Sequence, residues 1–172
     1  MGMRTAANIS IALIFFGGAV NATNALDDPR PVSSDDGKYF DAEGNPTFHI
    51  AQDGSTVDYY VFAGYLRYGA NCLQCHGPDG LGSSYAPSLV DPAKLLSYAD
   101  FLTTVAGGKK DVNAAQQLVM PSFGTNPNVM CYIDAIYVYL RARSDGTVGR
   151  QRPEQHAPKP EGFARAEDAC MG

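Results

Sequence analysis

The stretch GANCLQCHGPDGLG, Gly69–Gly82, decides how the rest of this sequence is interpreted. Within five positions it places two cysteines, Cys72 and Cys75, and a histidine, His76. A C-x-x-C-H pattern has three chemical uses: a redox-active thiol pair, half of a zinc site, or the attachment point of a c-type haem.

The sequence around the motif favours haem attachment. A thioredoxin-like thiol pair lies in a βαβ unit, and no such pattern surrounds this one. A zinc site needs a second ligand pair, which neither His49 nor His156 forms with a nearby cysteine. In a haem site, the two-residue spacing presents both sulfurs to neighbouring vinyl groups, and the next imidazole points under the iron. We therefore predict that Cys72 and Cys75 form thioethers and that His76 is the proximal ligand.

The chain contains five methionines as candidates for a second iron ligand, where a thioether raises the reduction potential. Two belong to the predicted N-terminal leader and a third lies at the extreme C-terminus. Of the remaining two, Met120 opens the segment MPSFG, in which Pro121 stiffens the loop. Met130 falls inside a predicted helix, where its sulfur serves packing. We predict Met120 as the distal ligand, with Met130 as the alternative.

The proximal imidazole also needs a partner for its second ring nitrogen, because that hydrogen bond fixes the ring and raises its basicity. The segment APSLVD, residues 86–91, follows the motif after a Gly-rich loop. We predict that the Pro87 carbonyl accepts the hydrogen bond from the His76 ring, an ordinary turn proline being the alternative. His49 is interpreted as a packed or exposed histidine and not as an iron ligand.

The first 25 residues are predicted to be a secretory signal peptide. Arg4 precedes an apolar run, Ile9–Val20, of twelve residues, which is too short to cross a bilayer. Small residues follow, so cleavage is expected after Ala25, or alternatively after Ala22; an uncleaved anchor is the other alternative. The mature chain is then expected to be periplasmic, without a membrane span, in a compartment where disulfides persist.

Composition and periodicity predict one all-α domain. The 172 residues carry a net charge of −5 without a basic patch, which argues against nucleic-acid binding. We predict an N-terminal extension over 26–54 with a small hairpin within 38–50, a helical domain over 55–145, and a tail over 146–172. Three helices are expected: one from Ser55 into the motif, one over 98–106 capped by Ser97, and one starting at Asn126. Gly64, inside the first helix, indicates close approach by another helix.

The last predicted helix is apolar on two sides, which requires cover on two sides. Its core face carries Val129, Ile133 and Leu140, and Cys131 lies nearly opposite. The Pro- and charge-rich tail, which ends near Cys170, is the predicted cover. We therefore predict a Cys131–Cys170 disulfide that holds the tail over this helix.

Together, the helix, CxxCH, Pro-bearing loop, middle helix, MPxF and aromatic last helix resemble class I cytochromes c, over about 56–145. The segments DGKYFDAEGNPTFHI, GYLRYGANCLQCH and VMPSFGTNPNVMCYIDAIYVYLRARSDGTVGR are similar to four-cysteine cytochromes c related to methanol metabolism in methylotrophic bacteria. The resemblance implies a fold of helices around one covalently bound haem c. It also assigns Cys72 and Cys75 as thioether positions, with His76 and Met120 as axial ligands.

The resemblance further implies a periplasmic electron carrier that is not itself an enzyme, and we expect it to be a monomer. Its expected donor is a PQQ-dependent methanol or alcohol dehydrogenase of the lanthanide type, and its acceptor is a downstream cytochrome or an oxidase. Two other functions remain open at this point. One is a haem module of another periplasmic redox complex, and the other is a haem enzyme or gas sensor with an open iron site.

Overall fold

The computed structural model describes residues 1–2, 29–94, 96–112 and 117–172. Six α-helices and two small antiparallel sheets occur in these residues. The all-α prediction is therefore wrong, because segments before and between the helices form strands. The predicted leader, 1–25, falls almost entirely outside the described residues.

The helices form three groups along the chain. The first lies at the C-x-x-C-H motif, the second in the middle of the domain, and the third towards the C-terminus. They are α1 (Tyr59–Asn71), α2 (Leu73–His76), α3 (Tyr98–Gly107), α4 (Pro127–Met130), α5 (Ile133–Asp145) and α6 (Glu161–Met171), with a short 3-10 turn at Pro92–Lys94. No helix among the described residues has the length and apolar character that crossing a bilayer requires.

Helix α1 begins later than the sequence predicted. Its N-cap is Asp58, whose carboxylate accepts a hydrogen bond from the Val61 amide at 2.9 Å. Ser55 instead donates its amide to Asp53 in the preceding turn, at 2.9 Å. Burial raises the pKa of Asp58 to about 6, although the backbone amides of His49 and Val61 act in the opposite direction. The helix is therefore capped by Asp58 and does not begin at Ser55.

Helix α3 agrees with its prediction to within one residue. The Ser97 side chain caps it by accepting a hydrogen bond from the Asp100 amide at 3.1 Å. Gly108 ends it with a φ of 75°, a conformation that favours glycine.

The predicted last helix is divided in two. Asn126 caps α4 by accepting from the Asn128 amide at 3.0 Å, and Pro127 occupies the first helical position, as predicted. The chain then leaves helical geometry at Tyr132, where φ is −122° and ψ is 15°, before α5 begins. From Ile133 to Ser144, α5 is buried at every position except Asp134, which is half-buried. The predicted two-sided burial is therefore confirmed for α5.

Helices α1 and α5 cross closely at Gly64, as the sequence predicted. A Cβ atom built at Gly64 would collide with the carbonyl oxygen of Ala135 and would lie 2.7 Å from Cβ of Tyr139. The two helices form the centre of the main core, which contains Val61, Phe62, Tyr68, Ile136, Tyr139 and Leu140. The glycine therefore sets the distance between the two helices that carry most of the core.

A three-stranded antiparallel sheet precedes α1. It consists of β1 (Ser33–Asp35), β2 (Lys38–Phe40) and β3 (Pro46–Thr47), in that order. The hairpin of β2 and β3 is the predicted one, and β1 is an additional strand. Asp36 and Gly37, both with positive φ, form the tight turn between β1 and β2. The Lys38 ammonium pairs with Asp134, which attaches the sheet to α5.

A second hairpin lies between α3 and α4. Strand β4 (Lys109–Val112) pairs with β5 (Gln117–Met120) in antiparallel register, so that Lys109 stands opposite Met120. The sequence analysis assigned no secondary structure to this segment. The strands lack the alternation of apolar and polar residues that would have identified them, because their side chains are mainly exposed.

The C-terminal segment returns over α1 and is fixed in two ways. Cys131 and Cys170 form the predicted disulfide, with their Cα atoms 5.7 Å apart. Phe163 of α6 is buried against the edges of the Tyr59 and Tyr60 rings, at 4.9 Å in each case. The predicted tail is therefore ordered by a helix, which the Pro- and charge-rich composition did not indicate.

Replacing Gly64 with alanine tests the helix crossing. We expect Gly64→Ala to destabilise the protein by at least about 1–3 kcal/mol, because the added methyl group collides with backbone of α5. The matched control is Gly69→Ala in the same helix, where no atom lies within 4 Å of the added Cβ. That control should stabilise by up to about 1 kcal/mol through helix propensity. Urea denaturation of both variants measures the difference, and equal stabilities would contradict the packing.

Removing the disulfide tests how the tail contributes to stability. The bridge closes a sequence separation of 39 residues, for which the chain-entropy model gives about 4 kcal/mol. We expect the Cys131→Ala, Cys170→Ala double variant to lose thermal stability, as measured by circular dichroism. A reductant should lower the melting temperature of the unmutated protein and leave that of the double variant unchanged. The same melting temperature for both oxidised proteins would contradict this role.

Candidate functional site

The C-x-x-C-H motif lies at the junction of α1 and α2. Cys72 ends α1, and its carbonyl oxygen accepts hydrogen bonds from the amides of Cys75 at 3.2 Å and His76 at 2.9 Å. These bonds wind the motif into one helical turn. Both thiols are free; Cys72 is half-buried against the main core and Cys75 is exposed.

The pKa of the Cys72 thiol counts against a thiol-disulfide exchange site. Burial, with a smaller contribution from Cys75, raises the pKa of the Cys72 thiol to about 11. A redox-active pair requires a lowered thiol pKa, because the thiolate is the reactive form. Within the part of the chain that the structure describes, no three His, Cys, Asp or Glu side chains gather in a metal-binding group. Neither alternative to haem attachment therefore gains support from these contacts.

The His76 ring is buried, and its Nδ1 atom lies 3.0 Å from the carbonyl oxygen of Pro87. With the proton on Nδ1, the ring donates to this carbonyl and keeps the lone pair of Nε2 for a metal. The sequence analysis named this same pair of groups, and the structure places them within hydrogen-bonding distance.

A tight loop holds the Pro87 carbonyl against the ring. The Gly82 amide donates to the His76 carbonyl at 2.9 Å, which folds the loop back onto the motif. Gly82 has a φ of 89°, and a Cβ there would lie 2.7 Å from the Ser88 amide nitrogen and 2.9 Å from the Pro87 carbonyl carbon. Only a residue without a side chain fits at this position.

Two further contacts attach this loop to the helices. The Tyr68 hydroxyl of α1 donates to the Gly77 carbonyl at 2.6 Å. The Arg143 guanidinium of α5 donates to the Asp79 carbonyl through Nε and Nη2, both at 3.2 Å. The sequence analysis missed both contacts, because Tyr68 and Arg143 lie in ordinary helical patterns. Nothing in their spacing indicates that their side chains reach the loop beside the motif.

The Asp79 side chain adds a charge pair to the loop. It is buried, and its carboxylate accepts from the Leu81 amide at 3.2 Å and from Nε of Arg150 at 2.5 Å. Burial acts to raise the pKa of Asp79, but these hydrogen bonds and the charge of Arg150 outweigh it, so the pKa lies below its usual value. The loop therefore contains a buried carboxylate that is ionised at neutral pH.

Met120 ends β5 and is half-buried against the main core, as are Cys72 and Phe123. The chain after Met120 is fixed to the end of α3, where the amides of Phe123 and Gly124 donate to carbonyls of α3 at 3.0 and 3.1 Å. Met130 lies in a helix, as predicted, and also packs against this core. The choice between Met120 and Met130 as a ligand therefore stays a prediction.

The donor set and the surrounding surface fit a haem. Two free thiols, one imidazole nitrogen and a thioether are the groups that a c-type haem binds. Several large apolar side chains remain exposed in the motif, the loop and the second hairpin, and an apolar macrocycle would cover surface of this kind. They are Leu73, Leu81, Tyr85, Val112 and Val119.

Comparison with known proteins gives one consistent family. Cytochrome c-553I of Paracoccus denitrificans is 49% identical over 144 residues, which cover 84% of this chain and 63% of that protein. Cytochrome c-555 of Methylococcus capsulatus is 37% identical over 93 residues, covering 54% of this chain and 69% of its own. No protein-family model matches the chain.

A solved structure agrees with these relatives. The crystal structure of the c-type cytochrome XoxG from Methylobacterium extorquens AM1 is 51% identical, with a TM-score of 0.75. The similarity covers 81% of this chain and 85% of that one. The fold described above, with its six helices and two small sheets, is therefore that of a c-type cytochrome. The chain spans less than two thirds of the Paracoccus protein.

The glycine beside the Pro87 carbonyl provides a test of the loop. We expect Gly82→Ala to cost roughly 1–3 kcal/mol more than the control Gly44→Ala. Gly44 also has positive φ, at 80°, but no atom lies within 4 Å of its added Cβ, so the control measures backbone strain alone. Urea denaturation compares the two variants, and equal losses would mean that the contact with Pro87 and Ser88 is unimportant.

Proposed function

Because this chain belongs to the c-type cytochromes, we propose that it is an electron carrier that holds one covalently attached haem c and is not itself an enzyme. The observation that carries the proposal is the geometry of the motif. One helical turn presents Cys72, Cys75 and His76 together, and the Pro87 carbonyl orients the imidazole. When bound, the haem supplies an iron that alternates between the ferric and ferrous states.

In this proposal each residue of the site has a separate role in holding the haem. Cys72 and Cys75 would attach the group through thioethers, and His76 would bind the metal through Nε2. Pro87 fixes the ring and raises its basicity through the hydrogen bond from Nδ1. Burial of the imidazole, which is 8% exposed, excludes water from the proximal side.

We propose Met120 as the second axial ligand. A thioether in this position raises the reduction potential and leaves no coordination site for a substrate or gas. The position of Met120 supports this role, because it ends β5 half-buried against the same core cluster as Cys72, and the following residues are fixed to α3. Carrying electrons then requires no opening of the site.

We further propose that the protein is exported and acts in the periplasm. The apolar N-terminal run and the small residues after it support export, and the Cys131–Cys170 disulfide is suited to an oxidising compartment. The proposed donor is a PQQ-dependent methanol or alcohol dehydrogenase, and the acceptor is a downstream cytochrome or an oxidase. The resemblance to cytochromes of methylotrophic bacteria supports this donor, and the similarity to XoxG accords with it.

Reduction by the dehydrogenase tests the proposed donor. The purified oxidised protein is mixed with a PQQ-dependent alcohol dehydrogenase and its alcohol, and the visible spectrum is followed in a stopped-flow instrument. We expect rapid reduction that requires the alcohol and slows as salt is added, since charge steers such encounters. Controls omit the alcohol or the dehydrogenase. Reduction no faster than in these controls would exclude this donor.

Paired methionine variants test the distal ligand. We expect Met120→Ala to open the coordination site, so that the reduced protein binds carbon monoxide completely and the reduction potential falls, because a thioether ligand is lost. The matched control, Met130→Ala, removes a half-buried methionine from the same core cluster and should leave carbon monoxide excluded. Carbon monoxide binding by the Met130 variant alone would reverse the assignment. Rapid binding by the unmutated protein would favour an open iron site.

A further inference from the structure

The loop between the motif and Pro87 is held from outside by two side chains that the sequence did not single out. We infer that Arg143 and Tyr68 are positioning residues for the proximal imidazole: they hold loop 77–82 so that the Pro87 carbonyl meets Nδ1 of His76, and thereby help set the reduction potential. This inference rests on the proposed haem site. It adds to that site two residues from α1 and α5, which act on the imidazole through the loop.

The first step of the argument is the connection from the loop to Pro87. The Gly80 carbonyl accepts from the Leu89 amide at 2.8 Å, and the Ser83 amide donates to the Ala86 carbonyl at 2.9 Å. Backbone of Gly82 lies against the carbonyl carbon of Pro87, where even a Cβ would not fit. Because these contacts join the two sides of the loop directly, a displacement of residues 77–82 moves the Pro87 carbonyl relative to the ring.

The second step is the pair of anchors. Tyr68 is fully buried in α1, and its hydroxyl reaches the Gly77 carbonyl at 2.6 Å. Arg143 is 7% exposed in α5, and its guanidinium bridges two backbone carbonyls, Asp79 at 3.2 Å and Val148 at 2.7 Å. Buried hydrogen bonds of this kind are costly to break, because the carbonyl would lose its partner without gaining water. The loop is therefore fixed to the two helices whose crossing forms the core.

The third step is the charge balance around Arg143. A buried guanidinium is expensive unless charges and hydrogen bonds compensate it. The carboxylate of Asp79 is buried next to the carbonyl that Arg143 binds, and Arg150, which is largely exposed, pairs with that carboxylate from the solvent side. The negative carboxylate of Asp79 therefore lies between two positive groups, the guanidinium groups of Arg143 and Arg150. This arrangement compensates the buried charge of Arg143, whose guanidinium is directed at the loop.

The expected consequence for the metal follows from the hydrogen bond to Pro87. A strong bond from Nδ1 makes the imidazole a better electron donor, which favours the ferric state. Loosening the loop weakens that bond, so the reduction potential should rise. A change in the charge near the iron would also shift the potential, so a decisive variant must conserve charge.

Arg143→Lys and Tyr68→Phe meet this requirement. Lysine keeps the positive charge, but its ammonium group cannot span two carbonyls as the planar guanidinium does. Phenylalanine removes only the hydroxyl that reaches Gly77. The matched control is Arg141→Lys, which changes an equally buried arginine of α5 that donates to the Ala93 carbonyl at 2.8 Å, outside the loop.

The experiment measures two properties of the haem-loaded protein. One is the reduction potential, and the other is the rate at which the Nδ1 proton of His76 exchanges with solvent, followed by NMR of the reduced state. We expect Arg143→Lys to raise the potential and to accelerate exchange roughly tenfold, the effect of losing about 1.4 kcal/mol. Tyr68→Phe should shift both properties in the same direction, and Arg141→Lys should leave both near their original values.

The possible outcomes separate this inference from the function on which it rests. An unmutated protein whose spectrum lacks haem would overturn both. If that protein carries haem, the inference alone fails when neither loop variant changes the potential or the exchange rate. It also fails when the Arg141 variant changes them equally, which would indicate general loss of stability, or when the potential falls, which would indicate entry of water and not a weaker hydrogen bond.

Discussion

The contact between the His76 ring and the Pro87 carbonyl is the constraint on which the rest of the site depends. A buried imidazole has two nitrogens, and only one of them is free to bind a metal once the other donates a hydrogen bond. Meeting this requirement forces the chain to turn back within eleven residues of the histidine. The loop requires glycine at position 82, because its backbone there passes against Pro87 and Ser88.

The helix crossing supplies the rigid frame for this turn. Gly64 lets α1 and α5 approach until the backbone of α5 lies against α1, and the two helices then present Tyr68 and Arg143 to the same loop. The site is thus built from two parts of the chain that are distant in sequence, residues 68–87 and helix α5. Within them, only the C-x-x-C-H motif indicates its chemistry by its spacing.

This difference explains how much could be predicted. Helix α3, the close approach at Gly64 and the Cys131–Cys170 bridge were accessible because local capping, glycine placement and helical periodicity encode them directly. The strands were not, since β4 and β5 are mainly exposed and carry no alternating pattern. The turn at Asp36 and Gly37 did carry a hairpin signal, an Asp-Gly pair beside an aromatic run, which the sequence analysis did not use. The contact of Arg143 with Asp79 spans 64 positions, so no local pattern reveals it.

The segment after α5 is attached near its start and at its far end, and these two attachments serve different parts of the molecule. Near its start, Val148 accepts from Arg143 and Arg150 pairs with Asp79, so this end supports the loop beside the motif. Farther on, the chain pairs with Val57 through the Gln155 carbonyl and the Ala157 amide, and the His156 ring stacks on Phe62 at 3.7 Å.

The disulfide acts at the far end, where it joins α6 to the residue that follows α4. Between the two attachments, the pairing with Val57 fixes the chain independently of both. Opening the bridge would therefore leave α6 held by Phe163 and its polar contacts alone, while Arg143 and Arg150 keep their contacts with the loop. The two ends of the segment therefore have different effects. The bridge contributes to the stability of the fold, and the two arginines support the orientation of the imidazole.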